Sequence, residues 1–334
     1  MLRHSNDAEP GFTRKRTGQY WAYFDGDERV TDRETIDRLT SVGLPPAYTD
    51  AWFCKDPEGH LQATGIDARG RKQYRYHPDF RAKRESAKYE GLLEFGKALS
   101  RLRRRVEQDL RKRDLSREAV LAAVVRLLDR QHIRVGNEEY AKENKSFGAT
   151  TLRSRHLKRT GHGLMMRFTG KHGIVHEVKI TDTNLKRIVR RCDELPGQML
   201  FQYINGDGDP KPITSGDVNE YIKQASGGDF TAKHFRTWSA SVIALDQMLK
   251  KAEDARISVK TVIKPVAEAL GNTPAISRKS YVHPKLLDAV KDNPRDPLDG
   301  MERPSGRKRL STSEVALLEF LGRGSRRRRK SGGA

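Results

Sequence analysis

Cysteine is scarce in this sequence: Cys54 and Cys192 are the only two in 334 residues, and they lie far apart. Neither has a neighbour at Cys-x-x-Cys spacing, so a disulfide scaffold and a thiolate metal site are both excluded, and a reducing cytoplasm fits. Long apolar runs are missing too. The longest, "AVLAAVV" from Ala119 to Val125, is too short to span a bilayer. The opening "MLRHSNDAEPG" has no apolar core of a signal peptide. There is no Gly-x-x-x-x-Gly-Lys-Ser/Thr phosphate loop, which leaves ATP use unsupported, and no His-Glu-x-x-His string. His172 and His176 have ligand-like spacing, but one falls at a turn and the other in a strand, so no metal and no cofactor is expected.

What is present in excess is positive charge. There are 65 Lys and Arg against 44 Asp and Glu, a net charge of +21. That imbalance points to a polyanionic partner, ordinarily a phosphate backbone. An anionic membrane is the poorer fit, because no long basic helix carries an aromatic apolar face. The chain is long enough for two domains with real cores.

The pattern changes along the chain. Residues 1–80 read as short strands punctuated by Gly59, Gly65 and Gly70, a small β domain. From Arg81 the spacing turns helical, with Leu92, Phe95, Leu99, Leu102, Val106 and Leu110 on one face and Arg101, Arg103, Arg104 and Arg105 opposite. Ser116 is placed to cap a second helix, apolar on most sides and hence buried. A hairpin follows: "GLMMRF", the turn "TGKHG", then "IVHEVKI" with Ile174, His176, Val178 and Ile180 on one face. Residues 81–285 thus form a mostly helical catalytic domain with a β-hairpin. Residues 286–334 read as a linker, one short helix in "STSEVALLEFLGRG" and a disordered basic tail at Arg326 to Lys330.

The candidate chemistry is a set of cations and one tyrosine. Arg134 follows the buried helix beside Gly136. Lys171 stands at the hairpin tip. Lys233, His234 and Arg236 sit together at a helix start, and Tyr281 follows Arg278 and Lys279. A phosphodiester attacked by a hydroxyl needs positive charge on its non-bridging oxygens, a proton for the leaving oxygen and a positioned nucleophile. Arginine matches phosphate bidentately, a lysine beside other cations can give up a proton, and guanidinium groups favour a phenolate over the tyrosine hydroxyl.

From about Gln19 to Pro284 the sequence resembles the type IB DNA topoisomerases of the compact bacterial and poxvirus kind. The resemblance is carried, in order, by "GRKQYRYHPDF", "IRVGNEEY", "RFTGKHG", "KHFRTW" and "LGNTPAISRKSYVHP". It implies an α+β fold in which the β-sheet domain and the helical domain close as a C-shaped clamp on duplex DNA, acting as a monomer at the cytoplasmic nucleoid without nucleotide or membrane. It implies Tyr281 as the nucleophile that forms a 3′-phosphotyrosyl link, Arg134 and Arg236 as the phosphate clamp and Lys171 as the general acid. Rotation of the nicked strand then relaxes positive and negative supercoils.

Asn272 stands where the family usually has histidine. Its amide can hydrogen-bond phosphate but cannot carry charge or a proton. Gln73, Tyr74 and Tyr76 are implied as DNA contacts, with Arg69, Arg71, Lys72 and Arg75 beside them and Lys233 in the second domain. Packing within the strand is an equally good reading for the two tyrosines. A tyrosine recombinase shares the Arg, Lys, Arg, Tyr set, but its second arginine normally sits in a His-x-x-Arg string, where this chain has Lys233. A non-catalytic DNA clamp is the other alternative, and the complete set of four residues argues against it.

Overall fold

The computed structural model describes residues 1–18, 20–160, 163–251, 256–301 and 304–330. The chain divides into two compact units, Met1–Glu90 and Gly91–Ala334. The fold is mixed, with an antiparallel sheet in the first unit and mostly helices in the second.

In the first unit the strands are β1 (Phe12–Thr17), β2 (Tyr20–Asp25) and β3 (Glu28–Arg29), then helix α1 (Arg33–Ser41), then β4 (Thr49–Phe53), β5 (Leu61–Ile66) and β6 (Lys72–Tyr76), followed by α2 (Pro78–Glu90). The sheet order is β3-β2-β1-β4-β5-β6. Asp32 caps α1 by accepting the Thr35 N–H at 2.8 Å. That helix lays Leu39 on Tyr23, Leu44, Ala51, Phe53 and Ala63, the core of this unit. Arg14 braces the α1–β4 loop, donating to the carbonyls of Leu44 (2.9 Å) and Pro45 (2.8 Å).

The switch to helix comes earlier than Arg81. Pro78 starts α2, as proline suits a first helical turn. Phe80 then packs on His60 (4.7 Å between ring centroids) and Tyr76 (5.5 Å), which ties the helix to the sheet unit.

The second unit begins with α3 (Leu92–Leu110) and α4 (Arg117–Gln131). The α3 residues Leu92, Phe95, Leu99, Leu102, Val106 and Leu110 are all buried, as their spacing requires. Helix α4 is buried from Ala119 to Asp129. Ser116 stands at its N-cap, but its hydroxyl turns to Asp114 (3.2 Å) instead of closing the helix end.

Arg103 is not on a solvated face. It is 8% exposed and forms bidentate pairs with Asp129 (2.8 and 2.9 Å) and Glu314 (2.7 and 3.0 Å). Arginine's planar fork lets one cation satisfy two carboxylates. Arg101, Arg104 and Arg105 are exposed.

After α5 (Glu138–Asn144) come β7 (Leu157–Thr160), β8 (Gly163–Thr169) and β9 (Val175–Ile180). The expected hairpin is β8 and β9, and β7 adds a third antiparallel strand on the far edge of β8. Then follow α6 (Thr183–Asp193), the short pair β10 (Gln202–Ile204) and β11 (Pro210–Pro212), α7 (Ser215–Ser226), α8 (Ala232–Lys251), α9 (Val259–Leu270), α10 (Pro274–Ser280), α11 (Pro284–Asp292) and α12 (Thr312–Lys330). Helices α3, α6, α7 and α8 pack around α4.

Residues 286–334, expected as a linker, one short helix and a basic tail, carry most of α11 as well as α12, which forms where the short helix is expected. Val315, Ala316, Leu317 and Leu321 of α12 are buried, and α12 packs on α3 and α8. Glu314 joins it to Arg103 and to Trp238 Nε1 (3.1 Å). The side chains of Arg326 to Lys330 lie outside the described residues.

The buried pairing makes a stability prediction. Arg103→Ala leaves Asp129 and Glu314 buried without their cation, at a cost of about 3–5 kcal/mol in a urea titration. An unchanged midpoint would contradict this role. Burial raises the Glu314 pKa, but Arg103, the Ser311 N–H and Trp238 outweigh it and hold the carboxyl below its ordinary 4.5. Its contribution is therefore full above that ordinary value and is lost as pH falls through the lower, folded value.

Candidate active site

Four of the residues singled out in the sequence converge in the second unit: Arg134, Arg236, Asn272 and Tyr281. Each is held by local structure. Arg134 follows α4, which His132 closes in the left-handed region (φ 54°). The Arg134 carbonyl accepts the Ala149 N–H (2.8 Å) and the Val135 carbonyl the Thr150 N–H (2.7 Å), so the loop segment bearing Arg134 is fixed from the side. Gly148 makes this possible, since a methyl group there would sit 2.6 Å from the Arg134 carbonyl oxygen.

Arg236 is on the second turn of α8 and 4% exposed. Its guanidinium donates to the carbonyls of His132 and of Leu270, the latter at 2.9 Å. It thereby bridges the end of α4 to the end of α9. Gly271 ends α9 at φ 58°, and the Asn272 N–H bonds back to the Ala267 carbonyl (3.0 Å), a helix stop that needs the left-handed residue. Thr273 caps α10 and Pro274 begins it. Tyr281 closes α10, with its N–H on the Ser277 carbonyl (3.1 Å). Just beyond, Val282 is fully buried and the His283 N–H bonds Ser241 Oγ on α8 at 3.1 Å. The tyrosine is thus anchored to the helix that carries Arg236.

The Arg236 guanidinium carbon lies 5.1 Å from the centroid of the Tyr281 ring. The tyrosine hydroxyl lies within the electrostatic reach of both guanidinium groups, Arg236 first and then Arg134. Burial pushes this hydroxyl's pKa up, but the two guanidinium groups outweigh it and hold it below the usual 10. Burial and the neighbouring Arg134 bring Arg236 down to about 10, against the opposing pull of Tyr281. Arg134 Nη2 donates to Asn272 Oδ1 at 2.8 Å. That bond fixes the amide, because a guanidinium has only donors and must meet the oxygen. Asn272 Nδ2 is left buried without a hydrogen-bond partner, a donor available to an incoming anion.

Lys171 is not part of this cluster. It is exposed at the β8–β9 turn, in a short 3₁₀ segment with His172 at φ 65°. It makes no hydrogen bond or ion pair among the described residues. Lys233 is exposed at the start of α8.

The residues expected on the DNA face of β6 are partly engaged within the protein. Arg71 Nη2 (2.7 Å) and Gln73 Nε2 (3.0 Å) both donate to Asp67 Oδ2, and Lys72 pairs with Asp7. Arg71 takes the Asp67 carboxyl down to about 2. Arg69 is exposed and Arg75 Nε donates to the Gly43 carbonyl (3.3 Å). Tyr74 and Tyr76 share one face, with rings stacked 6.2 Å apart. Tyr74 is 46% exposed, while Tyr76 packs on Phe80 and His60.

Two guanidinium groups, an amide donor without a partner and a phenol of lowered pKa thus meet at one place, a set of donors that suits an anion. Residues 77–297 match the family described as "Eukaryotic DNA topoisomerase I, catalytic core". The chain belongs to the type IB DNA topoisomerase family. Residues 20–67 match the N-terminal domain of bacterial DNA topoisomerase IB. Among topoisomerase IB relatives, the DNA topoisomerase 1B of Acanthamoeba polyphaga mimivirus is 30% identical, over 88% of this chain and 94% of the viral protein. That of Vaccinia virus (strain Copenhagen) is 24% identical, over 78% of this chain and 83% of the viral protein. The DNA topoisomerase 1 of Mycosarcoma maydis is 24% identical over 54% of this chain, but over only 20% of its own length.

Three partners of the topoisomerase site are not legible in the sequence: the carbonyls of His132 and Leu270 and the hydroxyl of Ser241. Backbone acceptors have no residue signature, and Ser241 is one of many serines. No helix among the described residues is long and apolar enough to cross a membrane.

Proposed function

We propose that this chain relaxes supercoiled duplex DNA by reversible nicking, with neither ATP nor metal. The observation that carries the reading is the Tyr281 hydroxyl held between Arg134 and Arg236. Favoured as a phenolate by the two guanidinium groups, it gives up its proton to solvent, and the oxygen attacks the scissile phosphorus while the bond to the 5′ oxygen breaks. The two arginines bind the non-bridging oxygens and neutralise the charge that develops there. Asn272 Nδ2 donates to one of those oxygens. Lys171 delivers its proton to the departing 5′ oxygen, its flexible side chain reaching from the hairpin tip to the DNA. The 3′-phosphotyrosyl bond retains the phosphodiester energy, so the reverse attack by the 5′ hydroxyl religates the strand. Between the two steps the free end rotates and sheds supercoils of either sign.

In this reading the two units act as a C-shaped clamp, as a monomer at a bacterial nucleoid. Tyr74, Arg69, Gln73, Tyr76, Arg71, Lys72 and Lys233 contact the duplex. Arg71, Gln73 and Lys72 must first exchange Asp67 and Asp7 for DNA, so they tune affinity less than their charge suggests. A plasmid relaxation assay in EDTA without nucleotide tests the function. Positively and negatively supercoiled plasmids are both expected to relax, and a requirement for magnesium or ATP would overturn the proposal.

The amide at position 272 adds a prediction. Asn272→Ala is expected to slow single-turnover cleavage by about 10²-fold, the usual cost of one oxyanion donor. Asn272→His should keep cleavage at pH 8, because neutral imidazole can accept from Arg134 and donate to phosphate at once. As pH falls and the imidazole gains its second proton, it can no longer accept. The His variant therefore loses activity in acid more steeply than the parent chain, as a pH–rate profile reads directly.

A further inference from the structure

His176 plays no part in the mechanism above, yet it lies between two of its components. It sits on β9 directly opposite Phe168 of β8, with the rings stacked at 5.1 Å and 18°. One edge of the imidazole lies on Gly170, where an added methyl group would be 2.7 Å from both Cδ2 and Nε2. Gly170 immediately precedes Lys171. The same Nε2 end of the ring also reaches Gly271, where an added methyl group would be 3.1 Å from Cε1 and 3.7 Å from Nε2. Gly271 immediately precedes Asn272. A side chain at Gly170 would displace the ring, and Gly271 stands at φ 58°, where a side chain is strained.

The turn itself is well defined around this contact. The Gly170 N–H bonds the Ile174 carbonyl at 2.7 Å, and Ile174 also faces Gly271. The flexible lysine stem is then attached to a backbone that one ring links to the Gly271–Asn272 corner. We propose that His176 is a positioning residue for Lys171, its ring acting as the spacer between the Gly170–Lys171 turn and the Gly271–Asn272 corner. This rests on the reading of Lys171 as the general acid. Burial, Arg134 and Arg236 all depress the His176 pKa, so the ring is neutral at pH 7 and adds no cation to the arginine pair. A proton-carrying role is not required of it.

The test is single-turnover cleavage by the full chain of a duplex with a mapped cleavage site, carrying either the normal bridging 5′ oxygen or sulfur in its place. A thiolate leaves without being protonated, so the sulfur substrate needs no general acid. Misplacing an acid by about 1 Å costs on the order of 10²-fold. His176→Ala is therefore expected to cut the oxygen substrate about 10- to 100-fold more slowly and the sulfur substrate at nearly the parental rate. Gly170→Ala, which pushes the ring away without removing it, should give the same pattern and serves if His176→Ala does not fold. Equal slowing on both substrates, or no slowing on oxygen, would overturn the proposal. Lys171→Ala run beside them separates the two claims. Its expected loss of about 10²–10⁴-fold on oxygen should vanish on sulfur. If that rescue fails, Lys171 is not the acid. If it succeeds while His176→Ala and Gly170→Ala stay slow on sulfur, only the positioning claim falls.

Discussion

Tyr281→Phe is expected to bind duplex DNA yet form no covalent adduct and relax no plasmid, a loss of at least about 10³-fold in cleavage because the nucleophilic oxygen is gone. The substitution is a mild one for the fold. The phenyl ring keeps its place over the Arg236 guanidinium, now at 5.1 Å, and the buried Val282 and the bond from the His283 N–H to Ser241 still anchor the segment. What disappears is the oxygen that faces the two guanidinium groups. Gel retardation with an unlabelled competitor checks binding, and denaturing electrophoresis of labelled duplex checks the adduct. Undiminished relaxation by the Phe variant would mean that another group attacks the phosphate.

Arg236→Ala should have the next largest effect, lowering single-turnover cleavage by about 10²–10³-fold. Two losses combine. The developing charge on phosphate loses a buried donor, and Tyr281 loses the cation first among those that favour its phenolate. Arg236→Lys is not expected to restore the rate. One ammonium on a flexible stem cannot bond the carbonyls of His132 and Leu270 and present a second donor edge to phosphate at the same time. Because these carbonyls lie in the interior, the Ala variant is also expected to lose about 1–3 kcal/mol of stability per carbonyl left unsatisfied. Thermal denaturation of the same preparation separates the two effects. A Lys variant with parental cleavage would show that charge alone suffices at this position.

The reach of the sequence can be judged residue by residue. The periodicity of Leu92 to Leu110 and the continuous apolar stretch of α4 follow from side-chain hydrophobicity alone, and both appear as buried helices. Tyr281 had nothing in its own surroundings to distinguish it from a packing residue. Its significance came from distant strings that recur in one family, and the structure brings three of those strings to one place. Arg103 was misjudged because an arginine beside other arginines looks solvated. Its partners Asp129 and Glu314 lie far along the chain, and long-range ion pairs leave no local pattern. The same pairing explains the fate of the last fifty residues. The prolines and charges before residue 311 read as linker and "STSEVALLEFLGRG" as one short helix; a helix does form there, and Glu314 with four apolar neighbours docks it against α3 and α8. Strand β7 was missed because four residues are too short for an alternation to register. His176 stands at ligand-like spacing from His172, a reading that the turn and strand placement argues against. Its contacts with Gly170 and Gly271 depend on two backbone turns meeting, which spacing cannot express.

The central claim is that Tyr281 exchanges places with a 5′ oxygen at a DNA phosphate. The most direct measurement is to trap the adduct on duplex labelled separately at the two ends of the cleaved strand, with EDTA present and no nucleotide, then digest the protein and identify the modified peptide by mass spectrometry. The fragment ending in a 3′ phosphate is expected to stay attached, the fragment with a 5′ hydroxyl to be released, and the nucleotide mass to rest on the peptide containing Tyr281. Attachment through a 5′ phosphate, or to any residue other than Tyr281, would contradict that claim.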